Sequence, residues 1–114
     1  MAGPLKSMPR LKTKPTIGDF QKYVVALEKE RGFSDQAVLQ KCLLLGEEIG
    51  ELFKAVRKSQ KIAVDKNSAI TPVSEELADI LIYLCSIANR YGIDLEQAFR
   101  EKEKANHKRT WHVV

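Results

Sequence analysis

The chain has 114 residues, 44% hydrophobic and 30% charged, with a formal net charge of +4 and two cysteines. That is one domain of soluble composition, long enough to bury a core without disulfides or a structural metal. No apolar run can span a bilayer or match a signal peptide, and the positive balance is confined to one end rather than spread over a nucleic-acid-binding fold.

Residues 1–15 carry Lys6, Arg10, Lys12 and Lys14 and no acid, and the remainder balances at 15 basic against 15 acidic residues. Pro4, Pro9 and Pro15 exclude a helix there, so this stretch reads as a flexible basic arm. From Thr16 the pattern is helical. Thr16-Ile-Gly-Asp19 has the form of a capping box, Phe20, Val24 and Leu27 recur at helical spacing, and Arg31-Gly32 supplies a stop. Ser34 is placed to cap a second helix from about Asp35 to about Lys58. Val38, Cys42, Leu45, Ile49, Leu52 and Val56 step along it, and Leu39, Leu43, Leu44 and Phe53 widen the stripe beyond one face. Residues 59–73 break the pattern and form a long loop bearing Lys61 and Lys66, of the kind that is functional or mobile. Ser74 is placed to cap a third helix, about Glu75 to Tyr91, with Gly92 as its stop. Asp94-Leu-Glu-Gln97 opens a fourth, running to about Lys108, whose second half is a charged, solvated stretch.

No strand signal competes, so the fold class is all-α with four helices. The two middle helices are too apolar for a free-standing bundle of this length, which predicts that homo-oligomerisation completes the core. Cys42 and Cys85 both fall in apolar helical patterns and read as reduced core thiols of a cytoplasmic protein. There is no CxxC pair and no HExxH, so a zinc site has no support.

The residues that do not belong in a core are acids. On the second helix Glu48 points between Leu44, Leu45, Leu52 and Ala55, with Glu51 one turn on and Glu47 toward Lys54. On the third, Glu76 and Asp79 are again three apart, and Asp79 leads to Tyr83 and Ser86. Burying several carboxylates together is costly, because like charges raise one another's pKa. No stripe of arginines faces them. Two helices, each with a carboxylate pair at i and i+3, offer hard oxygen ligands suited to magnesium. The competing reading is a solvated face pairing with Lys54 and Lys58, with Glu75 and Glu76 favouring a helix N-terminus. A di-iron bundle would need Glu-x-x-His pairs, and neither His107 nor His112 sits in one.

Glu47-Glu48-x-x-Glu51 followed by Glu76-x-x-Asp79 and then Lys102-x-x-x-Asn106-x-x-Arg109 resembles the pattern of MazG-like nucleotide pyrophosphohydrolases, an all-α family of NTP pyrophosphatases. The resemblance spans residues 16–110, leaving the arm at 1–15 and a tail at 111–114 outside. It implies a four-helix fold and magnesium bound by Glu48, Glu51, Glu76 and Asp79, with manganese a substitute. It implies that Glu47 orients or deprotonates the attacking water, that Lys102, Asn106 and Arg109 contact phosphates, and that Tyr83 faces the nucleotide. It further implies dimers or dimers of dimers, and hydrolysis of a (d)NTP to a (d)NMP and pyrophosphate by water attack at the α-phosphorus. Enzymes acting on phosphoribosyl-ATP share a similar fold and acid pattern, but the detailed match is to the MazG-like one. The rival reading from another class is a non-catalytic helical module: one that binds nucleic acid or protein through the basic arm predicts no magnesium requirement and a steep salt dependence of binding, and one that senses nucleotides keeps the metal site without turnover.

Overall fold

The computed structural model describes residues 8–67 and 70–112. The start of the basic arm with Pro4 and Lys6, Ser68 of the long loop, and the last two residues of the tail lie outside the described residues. Four helices follow in order: α1 (Ile17–Arg31), α2 (Val38–Ser59), α3 (Val73–Arg90) and α4 (Leu95–Asn106). No strand occurs among the described residues.

The helix ends follow from local chemistry. Thr16 and Asp19 form the full capping box of α1: the Thr16 hydroxyl accepts from the Asp19 N–H at 3.1 Å, and the Asp19 carboxylate accepts from the Thr16 N–H at 2.8 Å. Gly32 ends α1 in the left-handed region at φ 76°, which a side chain resists, and the Phe33 N–H then folds back to the Glu28 carbonyl at 2.7 Å.

Two expected caps are corrected. Ser34 does not cap α2; the helix starts at Val38 after an extended Ala37 with no side-chain cap. Arg90 is the reason, since it donates to the Phe33 carbonyl at 3.2 Å and the Gln36 carbonyl at 3.0 Å and holds 33–36 as a separate turn. Nor does Ser74 cap α3. Pro72 takes that position at φ −61°, and its carbonyl accepts from the Glu75 and Glu76 N–H groups at 3.1 and 3.4 Å. Asp94 caps α4 as expected, accepting from the Gln97 N–H at 3.2 Å, and that helix ends at Asn106, two residues short of Lys108.

Helix α3 is the central element, packed along α2 on one side and α1 on the other, while α4 rests on α1. The core is small: Val24, Leu27 and Cys85, with Phe20, Tyr23, Ile82 and Leu95 packed against it. Cys85 is fully buried, but Cys42 is exposed, so only one of the two expected core thiols is in the core of a single chain. Burial pushes the Cys85 thiol pKa up. Leu39, Leu43 and Phe53 of α2 and Leu77, Leu81 and Leu84 of α3 are exposed. The radius of gyration is 17.7 Å, against about 13 Å for a compact domain of this length.

One buried glutamine fixes where α4 goes. Gln21 of α1 donates to the Asn89 side chain at 3.0 Å and to the Ile93 carbonyl at 2.8 Å, and accepts from the Leu95 N–H at 2.9 Å. Asn89 returns a bond to the Gln21 carbonyl at 2.9 Å. A single side chain thereby ties α1 to the end of α3 and the start of α4. Gln21→Leu keeps the volume but orphans buried polar groups, each worth about 1–3 kcal/mol. The expected result is a loss of about 2–4 kcal/mol in denaturant unfolding, with amide exchange rising first in α4.

Candidate metal centre

The α2–α3 seam brings acids together. Glu48 stands at the middle of α2, and Glu76 and Asp79 stand on the first two turns of α3. One carboxylate oxygen from each of Glu48, Glu76 and Asp79 lies within 4.8 Å of the other two. Glu76 is buried, Glu48 is partly buried and Asp79 is open to solvent. The Thr71 hydroxyl donates to Glu76 Oε1, while Glu76 Oε2 is buried with no partner among the described residues. The facing Glu76 carboxylate, which accepts a hydrogen bond from Glu48 only once Glu48 is protonated, then burial, then the charges of Asp79, Glu76 and Glu51 push the Glu48 carboxyl up from its ordinary 4.5 to about 7. Three convergent carboxylates, one with an unspent buried oxygen, suit a hard divalent cation with oxygen ligands. The partial positive end of α3 lies beside Glu76, but a helix terminus contributes only about half a charge.

The other anticipated residues are distributed differently. Glu51 is outside the three-carboxylate group and pairs with Lys54 at 3.6 Å. Glu47, on the same helix, is exposed. Tyr83 is partly buried one turn beyond Asp79; burial, followed by the charges of Glu48, Asp79 and Glu47, raises its pKa. The α4 residues are elsewhere. Lys102 borders an apolar groove with Phe20, Leu84 and Phe99. The Asn106 side chain donates to Glu103 at 3.4 Å and its carbonyl accepts from Trp111 Nε1 at 3.3 Å. Arg109 is exposed beyond the helix end. Among the described residues, none of the three forms an ion pair or a hydrogen bond with Glu48, Glu76 or Asp79.

Beside the carboxylates opens a cleft of about 340 Å³, bordered by Asp79 and Tyr83 and reaching back to Phe33, Gln36 and Lys41. At its floor Glu28, 4% exposed, is held by Arg90 in a two-pronged pair at 3.2 and 2.7 Å, with Lys41 Nζ 3.6 Å away. Burial raises the Glu28 carboxyl, but the bonds from Arg90 and Ser86 and the charges of Arg90 and Lys41 outweigh it and hold it below the usual range. Glu28, Lys41 and Phe33 were not anticipated. Lys41 was visible in principle, because it falls between Val38 and Leu45 on the apolar stripe of α2, just as Glu48 interrupts that stripe further on.

The MazG nucleotide pyrophosphohydrolase domain matches residues 36–114, from just before α2 to the end of the chain. The chain belongs to the MazG family. A comparison with curated proteins gave no match. The matched region of this MazG domain contains α2, α3 and α4, and so all three clustered carboxylates, whereas α1 with Glu28 lies before it. The family fold is all-α, as the four helices are. No helix among the described residues is long and apolar enough to cross a membrane.

The raised Glu48 gives a pH signature. Its proton is held more tightly in the folded chain than in the unfolded one, so its stabilising contribution is full below pH 4.5 and is lost as pH rises through about 7. Glu28 acts in the opposite sense, and only on the acid side of its ordinary 4.5. In metal-free buffer the melting temperature is therefore expected to fall between pH 4.5 and 7. Millimolar magnesium, which favours the ionised carboxylates, should flatten that slope, and so should Glu48→Gln.

Proposed function

We propose that this chain is a magnesium-dependent nucleoside triphosphate pyrophosphohydrolase, converting a (d)NTP and water to a (d)NMP and pyrophosphate. The observation that carries the reading is the group of Glu48, Glu76 and Asp79 with its unspent Glu76 oxygen, on the α2–α3 seam of a MazG domain. In this reading Glu48, Glu76 and Asp79 hold the cation, and Glu51 joins them by releasing Lys54. Manganese substitutes for magnesium, being another hard cation that accepts carboxylate oxygens. The bound cation supplies charge neutralisation at the phosphates and a more acidic water.

The protein groups do the rest. Glu47, exposed beside Glu48, orients the water and accepts its proton as it attacks the α-phosphorus. Tyr83 lines the approach to the carboxylates and faces the nucleotide. Lys102, Asn106 and Arg109 contribute fixed donors to the phosphates on the leaving side. Asn106 is bonded to Glu103 and Trp111, Lys102 borders the apolar groove beside α4, and in this reading a neighbouring copy supplies the three donors. A homodimer or a dimer of dimers fits the exposed Leu39, Leu43, Phe53, Leu77 and Leu84 and the open apolar groove beside α4. Such an assembly acts on nucleotides in the cytoplasm.

The test is product analysis with a panel of NTPs and dNTPs, with and without magnesium. Monophosphate and pyrophosphate are the expected products. Glu48→Gln and Asp79→Asn should each lower turnover by about a hundredfold or more, the scale on which loss of a charge-stabilising group acts, while far-ultraviolet circular dichroism stays unchanged. Full activity in both variants contradicts the assignment.

A further inference from the structure

The cleft beside the carboxylates has its own recognition chemistry, carried by two groups that the acid pattern does not involve. Lys41 is 3% exposed, a rare state for a lysine, and its ammonium sits 5.2 Å from the Phe33 ring centre and 5.8 Å from that of Tyr83. Its counter-ion is incomplete. Both Glu28 oxygens are taken by Arg90, and the nearer lies 3.6 Å from Lys41 Nζ, beyond hydrogen-bond length. One carboxylate thus serves two cations, the buried Lys41 and the partly buried Arg90, and the N–H groups of Lys41 are not spent on it. Gln36, on the same cleft wall, has its Oε1 buried with no donor among the described residues. Phe33, Tyr83, Leu27, Leu44 and Ile82 give the cleft flat or apolar walls, and the exposed Arg31, Gln40 and Asp79 also border it.

Such a cleft holds a planar ring between aromatic and aliphatic surfaces, and Lys41 and Gln36 Oε1 offer a strong donor and an acceptor to its edge. An ammonium can only donate, so the edge must present an acceptor to Lys41. The buried Gln36 Oε1 asks for a donor. A ring carbonyl next to a ring N–H satisfies both. Held in the same orientation by its sugar and phosphates, adenine presents the reverse, an amino donor facing the ammonium and a ring nitrogen acceptor facing Gln36 Oε1, and leaves both protein groups unpaired.

Building on the reading of the carboxylates as a nucleotide-hydrolysing centre, we propose that Lys41 and Gln36 are specificity-determining residues that select a base with a carbonyl beside an N–H, as in guanine, hypoxanthine, uracil and thymine, and reject adenine. Asp79 belongs to both the cleft and the acidic group, and Tyr83 borders the cleft one turn beyond it, so a base seated here has its phosphates directed toward the carboxylates.

Inosine and adenosine triphosphates are the matched probes, differing only at that edge. Their affinities are measured by calorimetry in calcium, in which binding is read without turnover, for the wild type, Lys41→Met and Gln36→Leu. Arg90 still neutralises Glu28 in Lys41→Met, and thermal melting checks that each variant folds. The expected result is inosine triphosphate binding at least about tenfold tighter than adenosine triphosphate, with the ratio falling to about threefold or less in both variants. Equal affinities in the wild type, a preference for adenosine triphosphate, a ratio untouched in folded Lys41→Met, or no binding of either probe overturns the proposal. Selective binding without pyrophosphate release in magnesium would instead overturn the hydrolytic reading and leave the selective cleft standing.

Discussion

Three carboxylates whose oxygens approach within 4.8 Å repel one another, and the α2–α3 packing holds them there. The fold relieves that repulsion only in part. The neighbouring acids and burial push the Glu48 carboxyl up to about 7, Glu76 accepts one hydroxyl from Thr71, and no cationic side chain pairs with any of the three among the described residues. A seam between two apolar helices is a costly place for such a group unless a cation completes it. The geometry is set by backbone features that flank it. Pro72 starts α3 one turn before Glu76, and the long axis of α2 carries Glu48 to the same level.

About two to three turns further along α3, at Ser86 and Arg90, the same problem is solved the opposite way. Glu28 is more deeply buried than Glu48, yet Arg90 and Lys41 hold it ionised. The contrast separates structural from chemical use of a carboxylate. Glu28 is neutralised from within, and its Arg90 partner also fastens the turn at 33–36 that walls the cleft. The acidic group has no such internal partner and opens to solvent through Asp79. Gln21 performs a comparable structural task at the other end of α3, where it fixes the direction of α4.

Much of this was legible in the sequence because it is local. Helical spacing marked all four elements, the Thr16–Asp19 box and Gly32 marked the ends of α1, and Glu48 and Asp79 stood out as acids on apolar stripes. What escaped depends on tertiary contact. Ser34 and Ser74 have the right chemistry for caps, but Arg90 draws the 33–36 turn away and Pro72 takes the other position. Cys42 lies on an apolar pattern that the other helices do not cover, and it stays exposed. The i, i+3 spacing of Glu48 and Glu51 says that they share a face, but not that Lys54 holds Glu51 aside. Lys41 interrupts the α2 stripe as plainly as Glu48 does. Its significance appears only once Glu28 and Arg90, from α1 and α3, meet it.

The account stands or falls on the acidic group being a cation site. Manganese binding followed by electron paramagnetic resonance measures this directly, since bound and free ions differ in signal and no substrate is needed. The account predicts saturable manganese binding by the wild type that magnesium displaces, and its loss in Glu76→Gln with the fold retained. Undiminished binding in Glu76→Gln, or no saturable binding in the wild type, would contradict it.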